Sequence, residues 1–331
     1  MSLRNLLSFF FALVVISSCK KSVENNNSDT LSKIYFNGYN PNLGTSGITW
    51  DEIYSINADG TNQTQLTNFS NNGTRDVHSI QPGFNFDSSR LCYVSNNDPV
   101  FPFYDIYSMN FNGSDNFRKV WVAYDWQQFF NPIGFQLSNN SVEQYLIEIR
   151  NYDGTNFTWE IASIHWDGTV MTLYTPFPSD GNCKEPFWNQ THEKLIYTSD
   201  KTSSREIYIL DKQTGLKQQI TYNGLEKSSP KYSPDGSKIV FVSTLNSGAI
   251  HHSEIFIMSE NGSNPIQLTN YSNGGSLPFI TRSPTFSPGG RKIIYTSNES
   301  GVSQIYEMNL DGSNKQKLTN SNIEKFNPIA L

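Results

Sequence analysis

Two short patterns of apolar and polar positions alternate along the chain. One joins a Pro-x-aromatic-Ser segment, a Pro-Asp-Gly turn and an apolar run. It is clearest in Ser229-Pro-Lys-Tyr-Ser-Pro-Asp-Gly-Ser-Lys-Ile-Val-Phe-Val-Ser243 and recurs as Ser283-Pro-Thr-Phe-Ser-Pro-Gly-Gly-Arg-Lys-Ile-Ile-Tyr-Thr-Ser297. Looser copies begin at Pro82, Pro132 and Pro186. The other pattern is an acidic or amide residue followed by Ile and a short apolar alternation. It runs Glu52 to Gly60, Asp105 to Gly113, Glu160 to Gly168, Glu206 to Asp211, Glu254 to Gly262 and Gln304 to Gly312. Its anchors Ile53, Ile106, Ile161, Ile207, Ile255 and Ile305 lie 53, 55, 46, 48 and 50 residues apart. Most copies lead into a third segment, as in Gln65-Leu66-Thr67, Gln219-Ile220-Thr221, Gln267-Leu268-Thr269 and Lys317-Leu318-Thr319.

These patterns predict four short strands per unit, A to D. Pro presets φ and Gly accepts a positive φ in the A–B turn. The apolar run of strand B is buried on both faces, and an Asp-Gly or Asn-Gly pair makes the tight C–D hairpin. A four-stranded unit at this repeat length is a β-propeller blade. The chain enters at Lys33-Ile-Tyr-Phe36, which matches strand B, and closes at Asn327-Pro-Ile-Ala-Leu331, which matches strand A. The C-terminal strand is therefore expected to complete the N-terminal blade. The strand-A prolines Pro82, Pro132, Pro186, Pro230, Pro284 and Pro328 then mark six blades, all-β, within 31–331. Proline suits strand A as the inner edge, where no neighbour needs its N–H.

Composition agrees with strands and turns: aromatic residues are 14% of the 331, while charged residues are only 16%. The net charge of −6 argues against a nucleic-acid partner, which requires a basic face. Residues 1–18 combine Arg4, an apolar run from Leu6 to Ile16 and small residues Ser17 and Ser18, the layout of a secretory signal peptide. The run is shorter than the ~20 residues that span a bilayer. Cys19 follows directly, and Ile16-Ser17-Ser18-Cys19 resembles the bacterial lipobox, which implies lipidation at Cys19. Membrane contact is expected through that anchor only, with 19–30 as anchor and flexible tether. By resemblance to lipoprotein sorting patterns, Lys20 favours the outer membrane of a Gram-negative bacterium, and Lys20-Lys21-Ser22-Val23-Glu24 favours a periplasm-facing ring. A disulfide between Cys92 and Cys183 is open in an oxidising compartment.

The repeats resemble the WD40-like Pro-Asp (PD40) units of the TolB β-propeller family, over essentially all of 31–331. The resemblance implies a ring that binds a partner or ligand at the channel mouth. The family's namesake carries an α/β domain ahead of its propeller, where this chain has only Ser22 to Thr30, so the Tol–Pal envelope role is not carried over.

In this scheme the A–B and C–D turns share one face and are short. The B–C and D–A connections share the other face and are long, among them 37–51, 150–158, 175–184 and 244–253. Long connections are where function concentrates. Trp50, Phe103, Trp126 and Phe130 fall there as candidate partner-binding aromatics. Residues just before the strand-A prolines should line the channel mouth: Gln81, Asn131, Lys184, Glu185, Ser229, Arg282 and Asn327. The expectation is a non-catalytic binding scaffold for an envelope protein or peptide, with no cofactor. The alternative is a glycan-binding or lyase-like protein with a metal at His78, His251 and His252. No nucleophile elbow or phosphate loop is present.

Overall fold

The computed structural model describes residues 33–40, 50–68, 77–84, 89–96, 105–120, 128–131, 144–152, 157–165, 170–176, 179–247, 250–270 and 280–330. Residues 1–32, with the signal peptide, Cys19 and the tether, lie outside them. Among the described residues no helix is long and apolar enough to cross a membrane.

Blade 1 contains β1 (Lys33–Asn40), β2 (Trp50–Asn57) and β3 (Thr64–Gln65). Blade 2 is β4 (Val77–Phe84), β5 (Leu91–Ser95), β6 (Asp105–Met109) and β7 (Phe117–Val120). Blade 3 is β8 (Gln128–Asn131), β9 (Gln144–Tyr152), β10 (Phe157–His165) and β11 (Val170–Leu173). Blade 4 is β12 (Cys183–Trp188), β13 (Lys194–Thr202), β14 (Ser204–Asp211) and β15 (Lys217–Gln219). Blade 5 is β16 (Lys227–Tyr232), β17 (Lys238–Ser247), β18 (Ile250–Ser259) and β19 (Ile266–Gln267). Blade 6 is β20 (Thr281–Phe286), β21 (Lys292–Ser297), β22 (Gln304–Asn309) and β23 (Gln316–Lys317). The last strand, β24 (Glu324–Ala330), pairs antiparallel with β1 and completes blade 1. The fold is a six-bladed β-propeller closed by its C-terminal strand.

Each inter-blade interface holds its own apolar cluster. Cys92, Val94 and Ile106 of blade 2 meet Tyr145, Ile147 and Ile164 of blade 3. Ile34 and Phe36 of blade 1 meet Ile294 and Ile305 of blade 6, which closes the ring. Strands B are therefore buried on both sides and read as continuous apolar runs. In blades 1, 2, 4, 5 and 6 an aromatic pair stacks across strands B and C. Phe36 lies on Tyr54, Tyr93 on Tyr107, Tyr197 on Tyr208, Phe241 on Phe256 and Tyr295 on Tyr306, with centroids 5.6–5.8 Å apart. Blade 3 has Ile147 opposite Ala162 instead.

The Gln-Leu-Thr segment acts as a lock. The Thr269 hydroxyl accepts from the Ile255 N–H at 2.8 Å and donates to the Glu254 carboxylate at 2.5 Å. Thr221 does the same for Ile207 and Glu206, and Thr67 for Ile53 and Glu52. The glutamine amide curls onto its own threonine carbonyl, as in Gln267 to Thr269 at 2.7 Å. Thr269 is fully buried, so Thr269→Val strips the Ile255 N–H of its acceptor. A loss of about 2 kcal/mol is expected, read as a lower urea midpoint.

Three connections expected as loops are paired strands. In blades 1, 3 and 5 the B–C hairpins keep their register as far as Asn40↔Trp50, Tyr152↔Phe157 and Ser247↔Ile250. The outer parts of two of these hairpins gain further partners: Trp50 and Asp51 pair with Val77 and His78 of blade 2, and Asn151 pairs with Gln128 of β8. Cys92 and Cys183 are both buried, and neither is in a disulfide. Burial pushes the Cys183 thiol up to about 11.

Candidate functional site

Strand A carries one extra residue relative to strand B in five blades. The register shifts between Ile80 and Gly83, Lys184 and Phe187, Ser228 and Lys231, and Arg282 and Thr285. In blade 1 it shifts between Tyr35 and Asn37, opposite Phe326 and Ile329. Each bulge contains the strand-A proline, which has no N–H to lose from the ladder. The residue before it is left-handed: φ is 54° at Glu185, 52° at Ser229, 49° at Ser283 and 51° at Asn327. Non-glycine residues pay of order 1–3 kcal/mol each for such a conformation.

The bulges aim these residues at the axis and into contact across blades. The Glu185 N–H donates to the buried Glu148 carboxylate of blade 3 at 2.5 Å. The Glu185 carboxylate in turn accepts from the Ser229 N–H of blade 5 at 2.9 Å. Ser283 Oγ donates to Asn327 Oδ1 at 2.8 Å, and Asn327 Nδ2 donates to Asn37 Oδ1 at 3.1 Å. Together they line an axial cavity of about 170 Å³ with Pro186, Pro230 and Pro328. Burial pushes the Glu185 carboxyl above its ordinary value, against the hydrogen bonds from Ser229 and Thr198 that pull it down.

Toward the short A–B turns this channel opens into a wider funnel of about 340 Å³. Its walls are the aromatics two residues after the prolines, Phe84, Trp188, Tyr232 and Phe286, together with Phe187. Pro234 and Pro288 of the turns continue the wall outward. Lys231 lines both spaces and stands at the neck between them. Its Nζ lies 4.4 Å from the centre of the Phe187 ring. Burial pushes Lys231 down to about 8, and the nearby Glu185 carboxylate opposes that shift.

Of the residues expected at the channel mouth, Glu185, Ser229 and Asn327 line the axial cavity. Lys184 turns away and lies over the Trp159 ring at 4.3 Å. Arg282 is exposed and borders a separate cavity of about 170 Å³ with Glu324 and Phe326. Gln81 and Asn131 lie in β4 and β8, and their side chains are outside the description. The same holds for Trp50 in β2 and Phe130 in β8, while Phe103 and Trp126 lie outside the described residues altogether. His78 sits on blade 2 and His251 and His252 on blade 5, three blades apart in a ring of six. Among the described residues no three His, Cys, Asp or Glu side chains gather as a metal site.

Reading the sequence missed Ser283, Lys231 and the funnel aromatics. The signal was the Pro-x-aromatic spacing itself, read as strand A and its turn. The bulge at the proline breaks the simple two-residue alternation, so both the residue after the proline, Phe187 or Lys231, and the aromatic beyond it, Trp188 or Tyr232, reach the funnel.

The family model for the TolB β-propeller domain (PD40) matches residues 128–330, more than half of the chain. The chain belongs to the TolB β-propeller family. The Tol-Pal system protein TolB of Bordetella pertussis is 31% identical over 155 residues, 36% of this chain and 35% of that protein. The match thus spans well under half of that relative's length. TolB from Acinetobacter baumannii superposes with a TM-score of 0.66 at 20% identity, covering 92% of this chain and 67% of that one. A chain of a nidogen/laminin complex superposes with a TM-score of 0.60 at 9% identity, over 90% and 98% of the two chains. At such identities the likeness is one of fold. Within the TolB β-propeller family, the strand-A aromatics are this chain's apolar route to the axis.

Proposed function

We propose that this chain is a non-catalytic protein-binding scaffold of the Gram-negative envelope, held to the outer membrane through Cys19 and facing the periplasm. The observation that carries the reading is the axial funnel, an apolar mouth leading to a hydrogen-bonded polar channel. A few polar groups at the base of an apolar concavity are what a binding site needs. Every blade is pinned by two neighbours, so the funnel is preorganised and docking costs little reorganisation. Membership of the TolB β-propeller family supports an envelope protein as partner. The long-loop face, with Trp50, Phe103, Trp126 and Phe130, is the competing surface.

The test is cross-linking and pull-down of the tagged chain from its native envelope, with two variants. Gln190→Arg places a long cation on the exposed rim of the funnel. The double variant Trp126→Ala with Arg282→Ala strips the long-loop face. One dominant protein is expected, reduced about tenfold or more by Gln190→Arg and retained by the double variant. Loss in the double variant alone moves the interface to the long-loop face. Recovery of no specific protein ends the scaffold reading.

A further inference from the structure

Lys231 has no structural task that accounts for its charge. Among the described residues its ammonium has no ion-pair or hydrogen-bond partner, and its close neighbour is the Phe187 ring. The Glu185 carboxylate is engaged instead by the Ser229 N–H, the Ser229 hydroxyl at 3.4 Å and the Thr198 hydroxyl at 3.4 Å. Among the described residues no other lysine or arginine lines the funnel or the channel below it. The adjoining prolines supply no N–H, and the Ser229 N–H is already used. Among the described residues the neck therefore offers an incoming group a donor that is positive.

We propose that Lys231 receives a polypeptide's C-terminal carboxylate, with the apolar side chain of that last residue seated among Phe187, Trp188, Tyr232 and Phe286. This deepens the protein-binding reading and rests on it. An anion and an apolar group must arrive together, because the cation lies at the bottom of an aromatic wall. A charge-assisted hydrogen bond formed out of bulk water supplies the affinity. Glu185 sets the depth: a carboxylate passing the neck would meet another carboxylate, so it stops at Lys231. Size selects the chain end. A cavity of about 340 Å³ is at the small end of ligand pockets. It accommodates one terminus, whereas an internal Asp or Glu must bring in the chain on both sides. Capture of a terminal carboxylate is an established mode of peptide recognition.

The test is calorimetric titration of the full chain with three peptides: acetyl-Ser-Gly-Leu-Phe as free acid, the same peptide as C-terminal amide, and acetyl-Ser-Gly-Glu-Phe as amide. The free acid is expected to bind saturably, and both amides about tenfold or more weaker. Lys231→Gln should erase the preference for the acid and Lys231→Arg should keep it, both variants checked for folding by circular dichroism. Raising the pH from 7 to 10 should weaken the acid several-fold and leave the amide unchanged, as the ammonium loses its proton. Equal binding of acid and amide overturns the proposal. So does a folded Lys231→Gln that still prefers the acid, or the Glu-containing amide matching the acid. If no peptide binds while the envelope pull-down still recovers its protein, the carboxylate site is wrong and the scaffold reading stands.

Discussion

Gly312→Ala is expected to destabilise the ring by about 3 kcal/mol or more, seen as a drop in both the thermal and the denaturant midpoint. Gly312 sits in the C–D turn of blade 6 at φ +80°, and a Cβ there would lie 2.5 Å from the Leu268 carbonyl oxygen of blade 5. The left-handed backbone alone costs a side chain about 1–2 kcal/mol, and overpacking against a fixed neighbour adds about 1–3. The contact recurs around the ring. Gly60 faces the Leu318 oxygen at 2.9 Å, Gly113 faces that of Leu66 at 2.8 Å, and Gly262 faces that of Ile220. In blades 1, 2, 5 and 6 the turn glycine thus seats its blade against the end of the blade before it. Gly215 is the control, because its φ is +71° but nothing lies within 4 Å of the added Cβ. Gly215→Ala should show the backbone cost alone, about 1–2 kcal/mol. Equal losses at the two sites would mean that blade contact contributes nothing.

The second large effect separates two lysines at one repeat position, each three residues before a strand-A proline. Lys227 is buried in blade 5 with its Nζ 3.5 Å from Glu206 of blade 4 and 2.5 Å from both Asn223 Oδ1 and the Leu225 carbonyl. Lys227→Met removes the counter-ion of a carboxylate that is itself only 2% exposed. Breaking such a pair costs about 3–5 kcal/mol. Lys325 of blade 1 stands against Gln304 of blade 6, where the repeat elsewhere has an acid. Gln304 spends its amide on the carbonyls of Ser303, Ser321 and Ile323. Lys325 is fully buried without a hydrogen-bond partner among the described residues. Its Nζ turns back to its own blade, 4.7 Å from the Tyr54 ring centre and 5.8 Å from that of Phe36.

Burial pushes Lys325 down from 10.5 to about 8. In this window the unfolded chain holds more protons than the folded one, so stability rises with pH. The contribution is full above the unfolded value and is lost as the pH falls through the folded one. Lys325→Met should therefore raise stability at pH 7 by about 1–2 kcal/mol, the ring contacts offsetting part of the burial cost. It should also flatten the rise that the parent shows between pH 8 and 10. Denaturant titrations of both variants at pH 7 and pH 10 check this. Destabilisation by Lys325→Met at pH 7 would show that the aromatic contacts outweigh desolvation.

Much of this molecule was legible in the sequence because a propeller repeats its local physics. The Asp59-Gly60 and Asp311-Gly312 turns, the Gln-Leu-Thr lock and the paired aromatics each arise within one hairpin, so spacing alone exposes them. Half of the candidate site was legible too. Glu185, Ser229 and Asn327 follow from standing just before a strand-A proline. Lys184 and Arg282 looked equivalent by proximity to proline but lie one residue earlier, and a bulge sends neighbours to opposite sides. Ser283 was passed over for the same reason.

By itself the sequence determined the strand count, the order of the blades and the closure of the ring, since these follow from a period, from proline and glycine positions and from a strand missing at one end and supplied at the other. Only the tertiary structure decided where the open apolar space lies and which charge guards it. Phe84, Trp188, Tyr232 and Phe286 are core residues in any one blade. They become the wall of a funnel because six blades cannot converge on the axis without leaving a gap there. Lys231 acquires its unbalanced charge only when Ser229 of the next blade has already engaged Glu185.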